Sequence, residues 1–212
     1  MRLWLVRHGA TANNAEARFT GQTDIELSAI GRRQVQALAA RLATTSFDAV
    51  VSSDLLRARQ TALPIAATRS EPVIWDGRLR EIAMGAWEGR TVEDVRSKDP
   101  VRFASWQVTP ADSPPPGGES LREVRTRVVD ALETYCSRFP DGDVLWVTHG
   151  GVLSVLVGHV LGLDLNDDGK FRRDNAALSQ LIISATGIQI GLWNDTSHLS
   201  KHARRVEDRQ VR

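Results

Sequence analysis

The chain has 212 residues, of which 42% are hydrophobic and 25% charged, a composition typical of one globular domain. The formal net charge is only +1, which argues against nucleic acid or a membrane surface as a partner, and no apolar run approaches the roughly 20 residues of a membrane span. A single cysteine, Cys136, excludes an intrachain disulfide framework. Together with an opening that lacks signal-peptide features, it predicts a cytoplasmic protein.

Short apolar segments alternate with helical patterns from the start of the chain. Residues 3–6 are apolar and stop at Arg7-His8-Gly9, a pattern typical of a buried parallel strand that feeds a loop. Ser28 can cap a following helix whose apolar side chains recur every three or four residues. We predict further strands at residues 47–52 and 72–75, with a helix at 54–67 between them.

The middle of the chain breaks this alternation. Residues 82–118 hold one short helical pattern, at 91–98, and end in three prolines and two glycines. We therefore predict a small, mainly helical insertion that lies over the active site like a cap. Ser120 and Glu123 then form a capping-box pattern, and the apolar spacing behind it predicts a long amphipathic helix.

The last third returns to alternating elements. Residues 143–148 predict a buried strand that ends in His149-Gly150-Gly151, and an apolar helix at 152–161 follows. Residues 177–183 and 188–193 flank a Thr-Gly pair and predict a hairpin. The pattern indicates a single domain over residues 1–200, an α/β fold with three layers (α/β/α) around a mostly parallel sheet, and a charged tail at 201–212.

Two of the predicted strand ends carry a histidine followed by glycine. Ligands of parallel α/β sheets bind beyond the carboxyl ends of the strands, so His8 and His149 are expected at one site. Arg7 precedes the first histidine, and Arg57 lies near the start of the helix that follows the second strand. Arginine side chains bind phosphate with paired hydrogen bonds, and a histidine among them can be the nucleophile of phosphoryl transfer.

Such a reaction also needs a proton donor and a cradle for the anion. An ester oxygen leaves poorly unless it is protonated, and Glu81, after the third predicted strand, is the best-placed acid, with Glu88 as the reserve. A helix that starts near Gly150 would point free N–H groups at a phosphate.

Seven short segments follow one another in a recognisable order and spacing. They are Leu-Val-Arg-His-Gly at 5–9, Thr-Gly-Gln-Thr-Asp at 20–24, the run around Arg57 at 52–62, Leu-Arg-Glu at 79–81 with Gly-Ala-Trp-Glu-Gly at 85–89, and Gly-Glu-Ser at 118–120 with Val-Thr-His-Gly-Gly at 147–151. In this arrangement the chain resembles the histidine phosphatase superfamily, in its phosphoglycerate-mutase-like branch, over about residues 2–193.

The resemblance implies a role for each matched position. His8 would be the nucleophile that forms a phosphohistidine, with Glu81 as the proton donor and then the base that activates water. His149 would be a catalytic residue that also binds the phosphate, together with the phosphate ligands Arg7, Asn14, Arg57 and Gly150. Substrate contacts are expected from Thr20, Gly21, Gln22, Trp87 and Glu88. No metal ion or organic cofactor is implied. Ala10 departs from the glutamate or glutamine usual in the family, which puts the positioning of the substrate in doubt.

These roles define the expected protonation states and the alternatives. We expect His8 to be neutral for attack and His149 to be protonated beside the phosphate. The partner would be a small phosphate ester, hydrolysed either broadly or, as an alternative, as α-ribazole 5′-phosphate. A phosphoglycerate mutase is less favoured, since family mutases are longer. A metal-dependent hydrolase and a non-catalytic phospholigand sensor are further alternatives. The family resemblance also allows a homodimer, which no feature of this sequence specifies.

Overall fold

The computed structural model describes residues 1–67, 69, 70, 72–167, 170–200 and 203. The predicted charged tail, 201–212, lies outside the described residues apart from Ala203. Within the described part of the chain, no helix is long and apolar enough to span a membrane.

A six-stranded sheet forms the centre of the fold, and the predicted α/β class with a mostly parallel sheet is confirmed. Its strands are β1 (Arg2–Arg7), β2 (Ala49–Ser52), β3 (Ile74–Trp75), β4 (Asp143–Thr148), β5 (Leu178–Ser184) and β6 (Gly187–Asp195). They lie in the order β3-β2-β4-β1-β5-β6. The first four are parallel to one another, whereas β5 pairs antiparallel with both β1 and β6.

Helices cover both faces of the sheet. They are α1 (Ala12–Ala15), α2 (Ala29–Leu42), α3 (Leu56–Ala66), α4 (Val92–Lys98), α5 (Pro100–Val108), α6 (Leu121–Arg138) and α7 (Gly150–Val160). Successive side chains of a strand point to opposite faces. Accordingly, Leu3 and Leu5 of β1 pack in a core with α6 and α7, while Val6 packs on the other face with α2 and α3.

Local sequence signals account for where the main helices begin. The Ser28 hydroxyl accepts a hydrogen bond from the Gly31 N–H at 3.1 Å and so caps α2. The predicted capping box of α6 is present, because the Ser120 N–H donates to the Glu123 carboxylate at 2.8 Å and its hydroxyl accepts from the Glu123 N–H at 3.3 Å.

Two helices were not anticipated from the sequence. The short α1 forms because Thr11 and Asn14 make a second capping box. Helix α5 begins at Pro100, directly after α4, and residues 100–108 carry no apolar period long enough to have been recognised. Helix α7 begins at Gly150, where the expected anion cradle requires it and two residues before the apolar run at 152–161, and His149 is its N-cap.

Candidate active site

The ends of β1 and β4 bring the two predicted histidines together. These strands pair with Arg7 opposite Thr148, and the backbone N–H of His8 donates to the Thr148 carbonyl oxygen at 2.9 Å. Since the next residue of each strand is a histidine, the imidazoles of His8 and His149 lie side by side, with ring centroids 5.1 Å apart. Both side chains are buried.

The His8 ring presents a defined tautomer. Its Nδ1 lies 2.8 Å from the carbonyl oxygen of Gly9, which can only accept a hydrogen bond, so Nδ1 carries the proton and Nε2 the lone pair. The Asn175 amide donates to the His8 carbonyl oxygen at 3.0 Å and fixes the backbone that carries the ring. Burial, reinforced by Arg57 and Arg7, holds the pKa of His8 well below its usual range. The predicted neutral state follows from these surroundings.

His149 is held by a hydroxyl group that sequence reasoning missed. Its Nε2 lies 2.8 Å from Oγ of Ser53, and its buried Nδ1 has no hydrogen-bond partner among the described residues. Burial, reinforced by Arg57, also holds the pKa of His149 well below its usual range. These surroundings therefore favour a neutral ring and not the protonated one expected. A phosphate dianion in contact with the ring would raise this pKa, because an opposite charge favours the protonated form.

Two arginines make the pocket cationic. Arg57, in the first turn of α3, is only 1% exposed, and one of its terminal nitrogens donates to the Gly21 carbonyl oxygen at 2.8 Å. Burial lowers the pKa of Arg57 to about 10, with a partial offset from Glu81, so the guanidinium remains charged at neutral pH. Arg7 is buried too and donates to the carbonyl oxygen of Arg173.

Glu81 brings a carboxylate against the start of α7. Its Oε1 and Oε2 accept from the N–H of Gly151 at 3.1 and 3.3 Å, and Oε1 also accepts from the N–H of Ile82 at 3.0 Å. A Cβ at position 151 would lie 2.5 Å from Oε1 of Glu81, well inside van der Waals contact. The carboxylate can approach this helix end because residue 151 is glycine.

Arg7, His8, Arg57 and Glu81 line one cleft that opens to solvent. Glu81 is the acidic member of a lining that includes Arg7, Arg57, Arg18 and Arg173. The lining also contains apolar residues, which we call the apolar wall: Ala17, Phe19, Ile82, Met84 and Trp106. The cleft therefore combines cationic side chains, suited to an anion, with apolar side chains suited to an organic group.

Most of the predicted site residues are brought together by the fold. Those that line the cleft are Arg7, His8, Asn14, Thr20, Gly21, Arg57, Glu81 and Gly150. His149 is completely buried and touches the cleft through its neighbour His8. The side-chain oxygen of Asn14 accepts from the N–H and the hydroxyl of Thr11, both at 3.0 Å, so this atom is occupied by the capping box.

Three predicted substrate contacts lie outside the cleft lining. Trp87 is completely buried in an aromatic cluster, and Trp106, 5.7 Å away between ring centroids, lines the cleft in its place. The Glu88 carboxylate accepts from the backbone N–H of Gln22 at 2.9 Å and of Met84 at 3.1 Å, so it ties two loops together. The Gln22 amide donates to the Glu81 carbonyl oxygen at 3.1 Å.

The departure at Ala10 falls on a completely buried residue. Its N–H donates to the Gln34 side chain at 2.9 Å, and its carbonyl oxygen accepts from the Ser28 N–H at 2.9 Å. A Cβ on Gly31 would lie 2.0 Å from that carbonyl oxygen, so α2 packs directly on this loop. Residue 10 thus fixes the loop after His8 and does not line the cleft.

Sequence reasoning missed several residues around the site. Ser53 follows the end of β2, and the strand-end rule that selected the histidines could have found it. Arg18 and Arg173 line the cleft from outside the named helices and strands, and Asn13 lines it from α1; none of the three carried a distinguishing signal. Among the described residues, no group of three or more histidine, cysteine, aspartate or glutamate side chains could hold a metal ion.

Comparison with known families places this arrangement in context. The family model described as the histidine phosphatase superfamily (branch 1) matches residues 3–196. A protein of Enterobacter named probable phosphoglycerate mutase GpmB is 35% identical over 213 aligned positions, which cover 96% of this chain and 97% of that protein. The expectation that a mutase would be longer is therefore wrong for a relative that bears this name.

Solved structures share both the fold and a third of the sequence. YhfR of Bacillus stearothermophilus has a TM-score of 0.88 at 30% identity and covers 94% of this chain and 99% of its own. The α-ribazole phosphatase of Shigella flexneri has a TM-score of 0.84 at 31% identity, with coverage of 92% and 96%. A mycobacterial glucosyl-3-phosphoglycerate phosphatase, in complex with VO3, has a TM-score of 0.81 at 33% identity, with coverage of 92% and 99%.

Proposed function

This chain belongs to the histidine phosphatase superfamily, and from that premise we propose that it is a metal-independent phosphomonoesterase that hydrolyses a small organic phosphate through a phosphohistidine on His8. The observation that carries the proposal is the state of the His8 ring. Its Nδ1 proton is donated to the Gly9 carbonyl oxygen, which leaves the Nε2 lone pair on a ring that lines the same cleft as Arg57 and Arg7.

In the first step a bond forms between Nε2 of His8 and phosphorus, and the bond from phosphorus to the ester oxygen breaks. The electron pair of that bond stays on the leaving oxygen, which takes a proton from the carboxyl group of Glu81. Arg7, Arg57 and the start of α7 bind the non-bridging oxygens and stabilise the charge that they carry in the transition state.

In the second step water replaces the histidine on phosphorus. The Glu81 carboxylate takes a proton from the attacking water, the oxygen of which bonds to phosphorus as the P–N bond breaks. The electron pair returns to Nε2 of His8, and inorganic phosphate leaves. Glu81 is suited to both steps because it is the acidic side chain among the described residues of the cleft.

The names of the relatives support the substrate class. They include an α-ribazole phosphatase, a glucosyl-3-phosphoglycerate phosphatase and a phosphoserine phosphatase of Entamoeba histolytica. The substrates in these names share a phosphate group and differ in their organic part. The alternative of a dedicated α-ribazole 5′-phosphate phosphatase fits the apolar wall of the cleft, because a planar aromatic base can pack against Trp106.

Phosphoglycerate mutase activity is the second candidate, favoured by the name of the Enterobacter relative. A mutase must retain its phosphorylated intermediate and keep water away from it. The cleft of this chain opens to solvent, and this favours transfer of the phosphoryl group to water.

The decisive experiment measures products from a panel of esters. It would contain α-ribazole 5′-phosphate, 3-phosphoglycerate with a trace of 2,3-bisphosphoglycerate, several sugar phosphates and an aryl phosphate, all with a chelator present. We expect phosphate release that is insensitive to the chelator and absent from His8→Ala. After rapid quenching, the wild-type protein should carry a phosphoryl group that is labile in acid and stable in alkali. Formation of 2-phosphoglycerate faster than phosphate would establish the mutase. Activity lost to the chelator would refute the metal-independent mechanism.

A further inference from the structure

The backbone around Glu81 is held by three side chains that do not line the cleft. Gln22 comes from the loop before α2, Glu119 precedes α6, and Arg127 lies within α6. Glu119 belongs to the Gly-Glu-Ser motif, to which the sequence analysis gave no role. We call these three residues the Glu81 clamp.

Arg127 binds the carbonyl oxygens along the segment that carries the acid. Its NH1 group donates to the carbonyl oxygens of Arg78 at 2.7 Å and Arg80 at 2.6 Å, and its NH2 group donates to that of Glu81 at 3.1 Å. One guanidinium group therefore fixes three carbonyl oxygens within four residues, and only 17% of the side chain is exposed.

Glu119 orients that guanidinium group and holds the segment from the other side. Its carboxylate accepts from Nε and NH2 of Arg127 at 2.9 and 3.0 Å, in the bidentate arrangement that gives arginine pairs their directionality. The same carboxylate accepts from the N–H of Ala83 at 2.8 Å, and the Glu119 N–H donates to the Ala83 carbonyl oxygen at 2.8 Å.

Gln22 joins the two groups. Its side-chain amide donates to the Glu81 carbonyl oxygen at 3.1 Å and to the Glu119 carboxylate at 3.3 Å. The Glu81 carbonyl oxygen thus receives two donors, and the backbone is fixed both before and after residue 81. The Glu81 carboxylate itself contacts the backbone N–H groups of Gly151 and Ile82.

We propose that the clamp of Gln22, Glu119 and Arg127 positions Glu81 for proton transfer to the leaving oxygen, an inference that rests on the proposed role of Glu81. The three side chains are positioning residues, because they touch neither the phosphate ligands nor the cleft. A misplacement of about 1 Å at a reacting group can lower a rate by about 10²-fold, and release of the clamp permits a movement of that size.

The dependence on the leaving group separates this role from a structural one. An alkyl phosphate needs a proton on its leaving oxygen, whereas 4-nitrophenyl phosphate has a stable leaving anion and does not. Hydrolysis of the phosphoenzyme does not enter kcat/KM, so this ratio reports only binding and the first step. We therefore compare kcat/KM for the two ester types in each variant.

Glu119→Gln keeps the size of the side chain but leaves one acceptor oxygen for the donors of Arg127 and Ala83. We expect kcat/KM to fall by about 10²-fold with the best alkyl ester and by less than about threefold with 4-nitrophenyl phosphate, since general acid catalysis contributes about 10² to 10⁴. Inhibition by inorganic phosphate should stay within about twofold, because the proposed phosphate ligands Arg7 and Arg57 are not part of the clamp.

Arg122→Gln is the matched control. Arg122 lies on the same helix and makes a bidentate pair with Asp112 at 2.8 and 2.9 Å, but it does not contact the segment around Glu81. We expect wild-type kinetics with both esters. Gln22→Met removes two hydrogen bonds and no charge, and it serves as the second variant if Glu119→Gln folds poorly.

The outcomes distinguish failure of the clamp hypothesis from failure of the proposed function. Glu81→Gln provides the reference for complete loss of the acid and should show the same preference for the aryl ester. If the wild type releases no phosphate, or Glu81→Gln loses both esters equally, the proposed function fails. If Glu81→Gln discriminates between the esters but folded Glu119→Gln and Gln22→Met do not, the clamp is refuted while the proposed function stands.

Discussion

Gly151 offers a direct test of how closely the acid must approach α7. A Cβ placed there would lie 2.5 Å from Oε1 of Glu81 and 2.6 Å from Cδ1 of Ile82, whereas ordinary contact begins near 3.4 Å. The atoms met are the ends of two side chains, so a Gly151→Ala substitution would displace the carboxylate by about 1 Å and leave the backbone in place. A shift of this size lowers a catalysed rate by about 10²-fold.

The free energy of unfolding of Gly151→Ala should rise or stay the same, although the activity of this variant falls. Alanine is favoured over glycine within a helix by roughly 0.5–1 kcal/mol, and residue 151 is the second residue of α7. For a chain of this length, that range corresponds to a rise in Tm of up to about 2–4 °C. Displacement of the Glu81 and Ile82 side chains would reduce this rise. We therefore expect a protein that is about 10²-fold less active on alkyl esters and melts no lower than the wild type.

Gly158→Ala is the control within the same helix. A Cβ at position 158 meets nothing within 4 Å, so this substitution gains the helix preference without a clash. The assay is kcat/KM with an alkyl phosphate, alongside thermal unfolding followed by circular dichroism. Wild-type activity in Gly151→Ala would refute the view that this contact locates Glu81, and a large fall in Tm would show that the backbone moves instead.

Three further predictions concern the other groups of the cleft. Arg57→Ala should lower kcat/KM by about 10²- to 10³-fold, as expected for loss of a donor to the transition-state anion, and a loss below tenfold would remove Arg57 from the phosphate ligands. Trp106→Ala should reduce kcat/KM for an aromatic ester more than for a sugar phosphate, whereas Val108→Ala, at an exposed position of the same helix, should change neither; equal losses would contradict the assignment of the apolar wall. The buried histidines have lowered pKa values, so below about pH 6.5 the unfolded chain binds more protons than the native state and stability falls with falling pH. Between pH 7.5 and 5.5 the Tm should therefore drop, and less so for His149→Gln; a Tm that is equal at both values would oppose this reasoning.

The sequence predicted the parts of the site that strand geometry determines. His8 and His149 follow paired residues of two adjacent parallel strands, so apolar runs followed by histidine were enough to place them together. The same reasoning extends to Arg57, because the helix after β2 begins at the same edge of the sheet.

The remaining contacts depend on how loops pack, which periodicity does not encode. Trp87 and Trp106 both lie in the segment predicted as an insertion, and only the packing of α5 decides that Trp106 faces the cleft while Trp87 is buried. Gln22 and Glu88 belong to matched motifs, yet they bind backbone groups of neighbouring loops. A motif thus pointed to a segment beside the cleft and left open which of its side chains line it.

The position of β1 has a consequence for the order in which the molecule forms. This strand is made first, but its two neighbours in the sheet, β4 and β5, begin at Asp143 and Leu178. Pairing over such sequence separations is slow, because closing a long loop costs chain entropy before any contact forms to offset that cost. During synthesis the segment that carries His8 therefore stays unpaired until β4 has left the ribosome, and the cleft beside it can form only after that point.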